Sequence, residues 1–126
     1  MGAAELASLA GNELGRRGED LAAAHLESLG LVILTRNWRC REGELDIVAT
    51  DGLSHLVICE VKTRSGDGFG SPAEAVTQGK RRKLRRLAVL FQAEWGLRWA
   101  LIRFDVIGVM ARPGAHAELS HIVEAF

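Results

Sequence analysis

Asp46, Glu60 and Lys62 are the residues of this chain whose types and spacing point most directly to chemistry. They lie in two apolar runs, Gly43-Glu-Leu-Asp-Ile-Val-Ala49 and Leu56-Val-Ile-Cys-Glu-Val-Lys-Thr-Arg64, where charge is otherwise out of place. Runs rich in Val, Ile and Leu, parted by the turn residues Thr50-Asp51-Gly52-Leu53-Ser54, predict an antiparallel hairpin. With the turn centred on Leu53, Val48 faces Ile58, Asp46 faces Glu60 and Glu44 faces Lys62. Side chains alternate along a strand, so these six share one face of the predicted hairpin.

Two carboxylates placed opposite one another repel unless a cation lies between them, and a hard divalent metal ion is the natural candidate. The competing reading is a solvated hairpin edge on which Glu44 pairs with Lys62 and the other acids face water, an arrangement worth little energetically. Against it, Val48, Leu56 and Ile58 fall on the same face and call for burial at one end.

The elements that must hold these groups can be read along the chain. From about Asn12 to Leu29, Leu14, Gly18, Leu21, Ala22, Leu26 and Leu29 recur at helical spacing, and Gly30 follows as a stop. Glu19 lies at the margin of that stripe, where it can point toward a sheet. Leu31 to Arg39 reads as a first strand, the hairpin follows, and Ser65 to Pro72 reads as a mobile loop. A second helix is expected from Pro72 to about Trp95, with Lys80 on the inward Val76/Leu84/Leu87 row and Arg81, Arg82, Arg85 and Arg86 spread toward solvent. Trp99 to about Met110 reads as a further strand, and Glu118 to Phe126 fits strand or helix equally. The expected order is αβββαβ.

With 126 residues, 48% of them hydrophobic, the chain has the size of one domain with a real core. The longest uncharged apolar run, Leu29 to Leu34, is far short of a membrane span, and the expected setting is cytoplasmic. Cys40 and Cys59 lack the paired spacing of a zinc or redox motif, and none of His25, His55, His116 and His121 has ligand spacing. The formal net charge is zero, which argues against indiscriminate polyanion binding through the overall field. Basic residues nevertheless crowd 80–86, while Glu5, Glu13, Glu19, Asp20 and Glu27 lie toward the N-terminus.

An acid on a first helix, an Asp on a strand, Glu-x-Lys on the next strand and then a basic helix resemble the PD-(D/E)XK nuclease superfamily. More narrowly, Gly15-Arg-Arg-Gly18-Glu19, Arg36-Asn37, Gly43-Glu-Leu-Asp46, Glu60-Val-Lys62-Thr-Arg64, Phe69-Gly70, Lys80 and Arg103-Phe-Asp105 resemble the YraN family, small bacterial proteins related to archaeal Holliday junction resolvases. The likeness covers nearly the whole chain. Leu45 stands where the superfamily pattern has Pro before the Asp, a strand-compatible exchange that the resolvase branch also allows.

The resemblance implies a single nuclease-like domain over residues 1–126, with its core at about 12–110: an α/β restriction-endonuclease-like mixed β-sheet flanked by helices. It also implies a metal-dependent phosphodiesterase acting on DNA, branched or single-stranded forms included. Asp46 and Glu60 would then hold magnesium, or manganese in its place, with the Val61 carbonyl as a further ligand and Glu19 completing or orienting the shell. Lys62 would position the attacking water and offset charge on the phosphate. Lys80, Arg64, Arg81, Lys83 and Arg85 are the candidate nucleic-acid contacts, each weighed against a solvated helix face or a structural ion pair. Arg103 and Asp105 read as a structural pair. The neutral charge keeps open a non-catalytic nucleic-acid or protein interaction module that retains the fold, and the Gly66-to-Gly70 loop of a small domain keeps open a homodimer built by exchange of elements.

Overall fold

The computed structural model describes residues 11–65, 72–111 and 117–126. Helix α1 (Gly11–Ser28) is followed by strands β1 (Val32–Cys40), β2 (Gly43–Thr50) and β3 (His55–Ser65). A single 3-10 turn (Pro72–Ala75) then leads to helix α2 (Gln78–Trp95), strand β4 (Leu101–Ala111) and strand β5 (Glu118–Ile122). The strands lie side by side in sequence order. β2 runs antiparallel to both β1 and β3, β3 and β4 run parallel with α2 as their crossover, and β5 returns antiparallel on the far edge. A mixed sheet flanked by helices in the order αβββαβ is therefore present as expected, with β5 as the outcome for the ambiguous tail.

Alternation along the strands divides the core into two layers. Even-numbered positions of the central strands, among them Val48, Leu56, Ile58 and Phe104, pack with Leu84, Leu87, Ala88 and Phe91 of α2. Odd-numbered Ile47, Cys59, Ile107 and Val109 pack with Ala22, Ala23 and Leu26 of α1. A sheet covered on both faces needs this continuous apolar run, which is why charged positions within it stand out.

The hairpin register is the expected one as far as the ladder runs: Thr50 pairs with Leu56, Ala49 with Val57, Val48 with Ile58 and Ile47 with Cys59. Beyond that pair β2 leaves β3 and continues only with β1, through Trp38–Leu45 and Arg39–Glu44. Two expectations change accordingly. Glu44 does not meet Lys62; it pairs with Arg39 at 3.0 Å across the β1–β2 strand pair. The second helix starts at Gln78, because Thr77 adopts an extended conformation and its side chain accepts a hydrogen bond from the Lys80 N–H as an N-cap. The loop expected around Gly66 to Gly70, and with it the loop-exchange dimer, lies outside the described residues.

Gly18 fixes how α1 meets the sheet. A Cβ there would sit 2.0 Å from the Thr63 hydroxyl, so only glycine lets the helix approach β3 this closely. The residue after it is Glu19, which this approach carries to the end of the sheet where β2 and β3 part.

Candidate active site

The parting of β2 from β3 leaves the next backbone donor of β3 without a β2 carbonyl, and the Asp46 side chain takes that place. Its Oδ2 accepts the Val61 N–H at 2.9 Å. The carboxylate thus lies in the gap between the strands, alongside the 94% buried Glu60. A strand residue directs its N–H and C=O to the same edge, so the Val61 carbonyl also points into this gap.

Glu60 carries two cations. Lys62 Nζ is 3.9 Å from its Oε1 and Lys80 Nζ is 3.6 Å from its Oε2. Lys80 reaches inward from the first turn of α2, as its place on the apolar row predicts. Even so, the Asp46 carboxyl is held well above the ordinary carboxylate range. Burial is the main cause and the neighbouring Glu60 carboxyl adds to it, while the Val61 N–H and Lys80 pull the other way.

On the opposite wall Glu19 is 9% exposed and takes two donors on one oxygen: Arg36 Nε at 2.9 Å and Asn37 Nδ2 at 3.0 Å, both onto Oε1. Arg36 also binds Asp20 at 2.7 Å, which ties α1 to β1. Asn37 adopts a positive φ of 54°, a conformation that Asn tolerates better than most residues. Between the walls is an open cleft of about 780 Å³, lined by Gly15, Arg16, Glu19, Asn37, Arg39, Glu44, Asp46, Val61 and Thr63. Asp46 and Glu19 therefore share a cleft, whereas Glu60, Lys62 and Lys80 stand behind Asp46 on the α2 side.

The matching family model, "Uncharacterised protein family UPF0102", aligns with residues 18–109, which include every one of these acids and lysines. The chain belongs to this family. Its UPF0102 relatives include a Mycobacterium tuberculosis protein, 54% identical over 114 residues, covering 87% of this chain and 89% of that one. A Mycolicibacterium smegmatis protein is 52% identical over 118 residues, or 93% and 95% of the two chains. A Mycobacterium ulcerans protein is 53% identical over 112 residues, or 88% and 92%. Among solved structures, the chain is similar to Archaeoglobus fulgidus Hjc, a Holliday junction resolvase from an archaeal hyperthermophile. That match has 19% identity and a TM-score of 0.44, and covers 84% of this chain and 75% of that one.

In this UPF0102 chain the donor set fits a hard cation in part. Two carboxylates and a backbone carbonyl converge at the gap, all oxygen donors of the kind magnesium takes. No group of three or more His, Cys, Asp and Glu side chains among the described residues is arranged to hold a metal ion, and Glu19 is engaged with Arg36 and Asn37.

The basic residues of α2 are mostly occupied. Arg81 lies 5.3 Å and Arg85 5.4 Å over the Phe126 ring, which itself stacks on Phe104. Arg86 pairs with Glu42 at 3.3 Å, and the Lys83 chain runs past Gly43, where a Cβ would come within 2.8 Å of it. Arg81, Arg85 and Arg86 are thus not simply spread toward solvent: the C-terminal aromatic residue and Glu42 give them partners. Arg64 donates to the Thr63 carbonyl at 3.2 Å.

Sequence reasoning missed a second polar cluster. Asp105, fully buried, accepts from Arg103 Nε at 2.9 Å and Nη2 at 2.8 Å, from His121 Nε2 at 2.7 Å and from the Glu124 N–H at 3.2 Å. His121 Nδ1 in turn meets His25 Nε2 of α1 at 3.1 Å, and burial lowers the His25 pKa. The Arg103–Asp105 pair was legible from its spacing on one strand face. The two histidines were not, since a residue of α1 and one of β5, far apart in sequence, meet only in the folded chain.

Proposed function

We propose that the chain, as one nuclease-like domain, is a cytoplasmic magnesium-dependent endonuclease that hydrolyses phosphodiester bonds in DNA, with manganese able to substitute. The observation that carries this reading is the meeting of Asp46 and Glu60 where β2 leaves β3. Burial and that pairing of carboxylates raise the Asp46 pKa, and two lysines from different elements stand behind Glu60.

Asp46, Glu60 and the Val61 carbonyl would hold the ion, and Glu19 would orient the shell from α1. When bound, magnesium supplies positive charge against the phosphate and lowers the pKa of a water, which a phosphodiester that repels hydroxide requires. The chain's own residues do the rest. Asp46 stays fixed by the Val61 N–H and so needs little reorganisation on binding. Lys62, braced by Glu60, orients the attacking water and offsets charge on the scissile phosphate. Lys80 braces Glu60 from the α2 side.

Titration of magnesium and manganese by calorimetry, at low salt with duplex oligonucleotide present, tests this reading. Binding to the wild type that vanishes in Asp46→Asn is the expected result. Binding in neither protein would remove the metal site.

A second reading has its own observation. Glu60 already holds two lysines and Glu19 is held by Arg36 and Asn37, which is how a retired site would be stabilised. A non-catalytic binding module predicts metal-independent nucleic-acid or protein binding that is undiminished in Asp46→Asn.

A further inference from the structure

We infer that nucleic acid approaches the site from the α1 side, with Arg16 as a phosphate-positioning residue, and not along the basic face of α2. The inference rests on the nuclease reading for the identity of the anion, and it names the contact that reading leaves open.

The cleft that exposes Asp46 contains two arginines, Arg16 from α1 and Arg39 from β1. Three carboxylates line it as well: Glu19, Glu44 and Asp46. Glu19 is neutralised by Arg36, and Glu44 by Arg39, so the guanidinium left in this cleft with no carboxylate partner among the described residues is that of Arg16. Arg16 is exposed, sits one helical turn before Glu19, and shares the cleft wall with Gly15, whose missing side chain leaves backbone accessible beside it. An uncommitted guanidinium in the cleft that exposes Asp46 suits phosphate recognition, because its planar donors can grip two phosphate oxygens at once.

Arg39 is the second contact. Its pair with Glu44 is exposed on both sides, 75% and 51%, and such pairs are weak enough to be exchanged for a phosphate at little cost. On α2, by contrast, Arg81 and Arg85 cover the Phe126 ring and Lys80 holds the buried Glu60, while Arg86, in an exposed pair with Glu42, lies outside the cleft. Recruiting them would uncover aromatic surface or break an existing pair. Arg82 is exposed but lies among these committed neighbours.

Fluorescence anisotropy with a labelled duplex and its single strand, run across a salt series with calcium replacing magnesium to limit turnover, tests the inference. Arg16→Ala is expected to weaken binding about tenfold and to flatten the slope of log affinity against log salt by about one unit. Arg39→Ala should act in the same direction, Arg16→Lys should restore most of the slope, and Arg82→Ala should leave both quantities unchanged. Arg16 is exposed, so melting curves of its variants should overlay the wild type. Loss confined to Arg82→Ala or Arg85→Ala, equal loss in all variants, or no binding by the wild type would each overturn the inference. Cleavage of the same DNA in magnesium separates the two claims: Arg16-dependent binding without cleavage retains the inference and removes the nuclease reading.

Discussion

Asp46 Oδ2 stands 2.9 Å from the Val61 backbone nitrogen and accepts the hydrogen bond that a β2 carbonyl would take if the ladder continued. A side chain thus terminates the strand pair, and the termination puts one carboxyl beside another. The local structure and the candidate chemistry have the same cause.

That arrangement costs stability while no cation is present. Asp46→Asn removes the charge yet keeps an oxygen for the Val61 N–H, so it should raise the melting temperature of the metal-free protein by a few degrees, about 1 kcal/mol. Asp46→Ala loses the acceptor as well and should melt below Asp46→Asn. Scanning calorimetry in EDTA distinguishes these outcomes, and a lower melting temperature for Asp46→Asn than for the wild type would contradict the strain assigned to the pair.

Gly18→Ala places a methyl group 2.0 Å from the Thr63 hydroxyl, so α1 must shift away from β3. Overpacking of this kind costs about 1–3 kcal/mol. Thr63→Ala in the Gly18→Ala background removes the two closest clashing atoms, Oγ1 and Cγ2, and should recover part of the loss. Urea denaturation of the two single variants and the double variant reads the coupling; additive losses would show that the contact does not set the helix position.

Asp105 and the surface pair Arg86–Glu42 should respond very differently. Asp105→Ala strips a fully buried acceptor from Arg103, His121 and the Glu124 N–H, and should cost about 3–5 kcal/mol. Arg86→Ala breaks a pair with 60% and 50% exposed side chains and should cost about 1 kcal/mol or less. Chemical denaturation at neutral pH ranks them, and comparable losses would refute the buried cluster as a structural tie.

The hairpin turn has its own pH signature. Asp51 Oδ1 accepts the N–H groups of His55, Leu53 and Ser54, and these bonds hold its carboxyl well below the ordinary 3.8. A depressed folded-state pKa contributes stability that is fully present above the unfolded value and is lost as pH falls through the folded one. Denaturation midpoints should therefore drop below about pH 4 more steeply for the wild type than for Asp51→Asn. Parallel acid limbs would show that the turn bonds carry no pH dependence.

Much of this was legible in the sequence, for physical reasons that can be named. Alternating apolar residues about Leu53 gave the register of Thr50–Leu56 through Ile47–Cys59, and helical spacing put Lys80 inward and Glu19 against the sheet. Extrapolating that register three residues further placed Glu44 opposite Lys62, and there it failed. A side-chain acceptor at Asp46 ends the ladder, and periodicity carries no signal for a backbone bond taken over by a carboxylate. The start of α2 was missed because apolar spacing continued through Thr77, whose capping geometry overrides it. Occupation of Arg81 and Arg85 by Phe126, and the His25–His121 contact, arise from tertiary packing between distant segments, which local pattern does not encode.

The central claim is that the Asp46, Glu60 and Lys62 cluster hydrolyses phosphodiesters. Its most direct test is incubation of end-labelled single-stranded, duplex and four-way-junction DNA with the wild type and Lys62→Ala, each in magnesium and in EDTA. The account predicts magnesium-dependent cleavage of at least one form by the wild type, reduced at least about a hundredfold in a Lys62→Ala protein of unchanged melting temperature. No cleavage of any form above the Lys62→Ala background would contradict it.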